Sequence, residues 1–142
     1  MSSSRSVMET FFRNFEHNSN SGAIGPLISQ FADVFLVGGL QGAQVVQATA
    51  FALAVPKRKK IFDDLGCQSA ELVSLHETEL NGQYMMVETQ WRMTFASADQ
   101  AAEEIQADST FIVYTSGEEP KIVMYLSHGD VLATLANRRV KT

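Results

Sequence analysis

The chain has 142 residues, 45% of them hydrophobic and 19% charged, which suits one globular domain able to bury a core of its own. Its 16 acidic against 11 basic side chains give a net charge of -5, a field that repels a phosphate backbone and argues against nucleic acid as a partner. Cys67 is the only cysteine, which rules out an internal disulfide and any multi-cysteine metal site and suits a reducing compartment.

The opening MSSSRSVMETFFRNFEH carries charges through the place where a signal peptide needs an apolar core, and no apolar run approaches membrane-spanning length. We therefore expect a cytoplasmic protein with no membrane partner. Residues 1–5 form a polar tail with too little apolar content to order itself, leaving one domain over 6–142. From Ser6 onward Val7, Met8, Phe11, Phe12 and Phe15 recur at helical spacing, and Ser6 with Glu9 makes a capping box. After the turn residues 17–22, Gly25-Pro26 starts a second helix carrying Leu27, Ile28, Phe31, Val34 and Phe35 on one side and ending near Asp33. Residues 34–37 read equally as a short strand, because periodicity does not separate a short buried strand from buried helix.

Gly38-Gly39 and Gly42 punctuate the next stretch. Residues 45–55 read as a small-residue helix that Pro56 ends or kinks, and 57–65 as another closed by Gly66. The run Lys57-Arg58-Lys59-Lys60 is either a solvated face or an anion site at a helix start.

Beyond Gly66 the pattern turns to strands. Two period-two segments, 69–80 and 83–95, meet at Asn81-Gly82, a hairpin signal because a type I′ turn needs positive φ at both central residues. Residues 97–104 are polar and predict a loop, 105–115 and 121–127 predict two more strands, and 116–120 the hairpin loop between them. Asp130 is placed to cap a last helix over 131–139, with Arg138, Arg139 and Lys141 near its C-terminal dipole. Helices first, then four antiparallel strands, then a terminal helix make a segregated α+β order.

A two-residue turn sets Leu80 opposite Gln83, His76 opposite Val87, Ser74 opposite Thr89 and Leu72 opposite Trp91, all on one face. That face mixes apolar groups with hydrogen-bonding ones, as a pocket wall does. Ser74 and Thr89 are either sheet-bonding hydroxyls or ligand contacts, His76 either a core group or a pocket group, and the Trp91 indole N–H needs a partner. The opposite face, with Glu71, Glu77, Glu79, Glu88 and Arg92 among Val73, Leu75, Tyr84 and Met86, is either a dimer surface or a solvated sheet back.

In element order and in the segments FFRNFEHNSNSG, PLISQFADVFLVGG and KIVMYLSHGDVLATL the chain resembles the nuclear-transport-factor-2-like, or SnoaL-like, superfamily. The resemblance implies an α+β cone, helices on a strongly curved antiparallel sheet, with a central pocket and dimers through the outer sheet face. That superfamily hosts enzymes and pure binding proteins alike. Members similar to ketosteroid isomerase carry a general-base aspartate just after the second-helix segment, where this chain has Val37-Gly38-Gly39. An Asp-Arg-Asp set like that of the epoxide hydrolases is not assembled, since Arg92 lies on the Glu71 side. The dehydratase pattern of histidine with tyrosine and an acid leaves His76, His128, Tyr114 and Tyr125 available.

The expectations are then a pocket lined by Phe15, Ser74, His76, Thr89, Trp91, Tyr114 and His128 that binds a small hydrophobic or aromatic molecule, with no metal and no cofactor. Two alternatives stand beside it: an acid-base lyase or isomerase working through His76 with Tyr114 or His128, and a homodimerising accessory domain whose pocket is vestigial.

Overall fold

The computed structural model describes residues 2–97 and 100–140. Among the described residues, four helices and six strands follow the order α1 (Ser2–Ser21), α2 (Ile24–Ile28), β1 (Phe31–Gly39), β2 (Gly42–Gln47), α3 (Ala48–Asp64), β3 (Cys67–Glu79), β4 (Tyr84–Ser97), β5 (Gln100–Tyr114), β6 (Lys121–Ser127) and α4 (Val131–Val140). The strands make one sheet, ordered β2-β1-β6-β5-β4-β3. Every neighbouring pair is antiparallel except β1 with β6, so the sheet is mixed rather than purely antiparallel.

Helix α1 begins at Ser2, ahead of the start expected at Ser6, whose side chain, like those of Arg139 and Lys141, lies outside the described residues. Helix α2 stops at Ile28, and the Phe31–Gly39 segment is strand. A spacing of four puts Phe31 and Phe35 on one side of a helix and equally on one face of a strand, so that pair does not discriminate. Both are buried here beneath Phe51 of α3, with ring centroids 4.9 and 5.1 Å from it. Strand β2 replaces the first turn of the expected 45–55 helix, and α3 then runs unbroken through Pro56 to Asp64. Gly66 does close α3, at φ +93.

The expected loop over 97–104 is mostly strand: β5 pairs with β4 as far as Ser97 opposite Gln100, and residues 98–99 lie outside the described residues. Those residues are polar, but the hairpin runs past the core on the strength of Phe95 and Ile105, which pack with Phe62 and Leu135. Asp130 caps α4 as expected, its carboxylate accepting the Ala133 N–H at 3.1 Å. Arg138, in the last turn of α4, donates to the Glu104 carbonyl at 2.9 Å.

The β3/β4 hairpin departs from the expected register in two places that compensate. Only Gly82 has positive φ (+81), and the Leu80 N–H bonds the Tyr84 carbonyl at 2.9 Å, so the loop holds three residues rather than two. This sets Glu79 opposite Met85, Glu77 opposite Val87, His76 opposite Glu88 and Ser74 opposite Gln90. A bulge between Leu72 and Ser74 takes up the extra residue, after which Leu72 meets Trp91 and Ala70 meets Met93 as expected.

Candidate functional site

The inner face of the sheet is set by the odd-numbered residues of β4 and β5. Val87, Trp91, Phe111 and Val113 are buried there with Met8 and Phe12 of α1. Phe15 continues the α1 stripe and stands 5.9 Å from Trp91 and 5.4 Å from Phe111, while Tyr125 of β6 stacks on Phe111 at 5.0 Å and 19°. The interior of the cone is thus a continuous aromatic cluster, in which off-axis ring pairs add to the gain from area burial.

Within it the polar groups satisfy one another. The Trp91 indole N–H donates to the Thr89 hydroxyl at 2.8 Å, and that hydroxyl donates to the Ser109 carbonyl at 2.9 Å. Thr89 is only 2% exposed, so the relay is a sealed core feature. Phe15, Phe51, Ala107 and Tyr125 are half-buried and give the interior its accessible apolar wall.

Of the seven residues expected to share a pocket, the structure brings Phe15, Thr89 and Trp91 together on the inner side. The other four lie elsewhere. Ser74 and His76 project from the outer face, because the three-residue loop shifts β3 by one position and a one-residue shift exchanges the faces. Ser74 donates to the Gln90 side chain at 2.8 Å, and His76 is exposed opposite Glu88. Tyr114 is also on the outer face, its ring 5.2 Å from that of Tyr84. His128, just past β6, bonds the Thr110 hydroxyl at 2.6 Å through Nε2. The same shift places Glu77 and Glu79 on the side of Val87 and Met85, whereas Glu71 and Glu88 point outward as expected, Glu71 gripping Arg92 at 2.7 Å. Sequence reasoning missed Phe111, Tyr125 and Ser109 as inner-face groups; the odd positions of 105–113 were the available signal for Phe111 and Ser109, whereas in β6 a register shift puts Ile122 inward as well as Tyr125 and breaks the alternation.

Two depressions lie outside the cone. One is an open groove of about 720 Å³ between α1, α2 and the β5/β6 loop, with Val7, Phe11 and Pro26 against Glu118 and Glu119. The other is a smaller site of about 160 Å³ where Glu9 and Arg13 meet the bulged stretch of β3.

The outer face carries the longer continuous feature. Successive cross-strand neighbours Val45, Leu36, Met124, Ile112 and Met86 form one apolar row over five strands. Leu126, Tyr84 and Tyr114 flank it, all half-buried.

An NTF2-like protein with a cystatin-like fold from Novosphingobium aromaticivorans superposes with a TM-score of 0.73 at 10% identity, over 92% of this chain and 86% of that one. This chain has the nuclear-transport-factor-2-like fold. The β subunit of a benzoate 1,2-dioxygenase from Burkholderia mallei matches at TM-score 0.65 and 13% identity, covering 85% of this chain and 87% of that one. A Xanthomonas campestris protein named for a calcium/calmodulin-dependent protein kinase II association domain matches at 0.63 and 9%, covering 91% and 86%. No family model and no curated protein sequence matches the chain. Among the described residues no helix is long and apolar enough to cross a membrane.

Proposed function

We propose that this chain is a self-associating nuclear-transport-factor-2-like module that pairs with a second copy through the outer face of its sheet. The apolar row Val45-Leu36-Met124-Ile112-Met86 carries the reading. Left in water, such a contiguous row keeps apolar area solvated that a partner would bury, at about 25 cal/mol per Å². A two-fold pairing uses the same patch twice and needs no second surface. The names of two structural neighbours, a dioxygenase β subunit and an association domain, are in keeping with a fold used for assembly.

A second reading keeps the cone as a binding site for a small hydrophobic or aromatic molecule. What favours it is the half-buried ring set Phe15, Phe51 and Tyr125 on the inner side. With Thr89 and Trp91 already bonded to each other, the ligand would be held by stacking and area burial rather than by polar anchors. The acid-base reading loses its residue, since His76 stands on the outer face opposite Glu88. For either reading we place the protein in a reducing compartment such as the cytoplasm, on its lone cysteine.

Native mass spectrometry of the full chain tests both. The assembly reading expects a multimer whose mass halves in Met124→Glu; an unchanged mass overturns it. The ligand reading expects a co-purified small molecule that Phe15→Ala releases, and a bare chain unable to take up apolar aromatic probes counts against it.

A further inference from the structure

The sheet ends in two edges, and they are built in opposite ways. At β3 the backbone groups of Ala70 and Leu72 are already occupied by side chains of α1. Glu16 accepts the Leu72 N–H at 2.8 Å, Arg13 donates to the Leu72 carbonyl at 3.1 Å, and Asn20 both accepts from the Ala70 N–H at 2.9 Å and donates to its carbonyl at 2.8 Å. The bulge after Leu72 and the charges of Glu71, Glu77 and Glu79 add to this protection. Helix caps, bulges and charge are the usual means by which an edge is kept from pairing.

At β2 none of these devices is present. Its sequence GAQVVQ holds no charge and no proline, its pairing with β1 is free of bulges, and all its residues but the half-buried Val46 are exposed, Val45 at 69%. Every second residue of such a strand turns its N–H and C=O outward.

We propose that this edge pairs antiparallel with β2 of a second copy of the chain, about a two-fold axis through Val45 normal to the sheet. Three observations select a second copy over a foreign strand. A strand with no charge meets its own copy without repulsion in any register, although each chain carries a net charge of -5. Centring on Val45 sets two β-branched side chains directly opposite, a favourable cross-strand pair. An axis normal to the sheet keeps both outer faces on the same side, so the row ending at Val45 runs on into the partner's row without a break. Two edge-joined sheets would present a doubled apolar row, and the face-to-face pairing of the outer sheet surfaces would then close a tetramer from two kinds of interface.

The test is the assembly mass of the full chain by sedimentation and native mass spectrometry, comparing wild type with Gln44→Lys, Met124→Glu and the double variant. Gln44 is exposed and lies on the opposite side of β2 from Val45, so its substitution leaves the outer-face row intact. Two inward lysines across the axis weaken edge association by about tenfold or more. The expected series is four copies for wild type, two for either single variant and one for the double. Gln44→Thr, uncharged, retains four. If Gln44→Lys leaves the mass unchanged while Met124→Glu lowers it, edge pairing is wrong and the outer-face reading survives. If Gln44→Lys lowers it and Met124→Glu does not, the edge stands and the outer-face reading falls. Hydrogen exchange of wild type gives an independent readout: amides of residues 43–47 slow as chain concentration rises, and concentration-independent exchange overturns the proposal.

Discussion

Asn20 and Ala70 exchange two hydrogen bonds, 2.8 and 2.9 Å long, in which a helix side chain does for a strand edge what a neighbouring strand would do. An amide group is suited to this because it offers one donor and one acceptor side by side, as a peptide unit does. Replacing Asn20 by Ala frees both backbone groups to water, so the cost is the net value of the bonds and not a burial penalty. The expected loss is about 1 kcal/mol, read as a lower urea midpoint at unchanged slope. The variant also opens an edge, so it should aggregate faster than wild type at equal concentration. A midpoint identical to wild type would mean that the pair contributes nothing.

How far the sequence discloses this molecule is best seen at Gly82 and Val73. The hairpin is announced by Asn81-Gly82, but whether its loop holds two residues or three depends on the φ of Asn81, and only Gly82 is positive. That single residue inverts the faces of β3 from Ser74 to Glu79, until the bulge beside Val73 restores them. Strand β4 was legible, with Val87, Thr89 and Trp91 inward as expected, because it alternates without interruption as far as Phe95. The helix capped by Asp130 and the glycine closing α3 were legible because each rests on local chemistry. Strand β2 and the start of β5 were not, since their short or polar residues become strands only through partners distant in the chain.

Two glycines with similar backbone angles should respond very differently to alanine. At Gly82 (φ +81) an added Cβ meets only the Glu79 carboxylate at 3.7 Å, so Gly82→Ala carries only the left-handed backbone penalty, about 1–2 kcal/mol. At Gly66 (φ +93) a Cβ would overlap the Ala96 carbonyl oxygen, on the residue whose N–H bonds the Gly66 carbonyl at 2.9 Å. There the clash is with backbone and cannot be relieved by a rotamer change, and the loss should exceed about 3 kcal/mol. Thermal denaturation of the two variants side by side decides the point; equal losses would refute it.

The Trp91, Thr89 and Ser109 relay predicts non-additivity. Thr89→Val leaves the indole N–H and the Ser109 carbonyl without their shared partner in a buried site, at about 2–4 kcal/mol. Trp91→Phe removes the donor and also leaves a void beside Phe15. In the double variant the orphaned indole is gone, so its cost should fall below the sum of the singles by about 1 kcal/mol. Urea titration of the four proteins gives the cycle, and additivity within about 0.3 kcal/mol would show that the relay is not an energetic unit.

Burial pushes the Cys67 thiol up from its ordinary value of 9.0; Asp63 adds to the shift, while a backbone hydrogen bond at Ser69 and the charge of Lys59 oppose it. The unfolded chain therefore releases this proton at lower pH than the folded one. The contribution to stability is fully present below the unfolded thiol's pKa and is lost as pH rises through the folded one. Above about pH 9 wild type should lose stability faster than Cys67→Ala, which lacks the group, and below about pH 8 their difference should be constant. At about pH 8 the folded thiol should also react with iodoacetamide more slowly than a free cysteine does, since the thiolate is the nucleophile. Parallel stability curves for the two proteins from about pH 8 to about 10.5, together with an alkylation rate matching the free thiol, would place Cys67 in a solvated setting that contradicts its position beside Phe62 and Phe95.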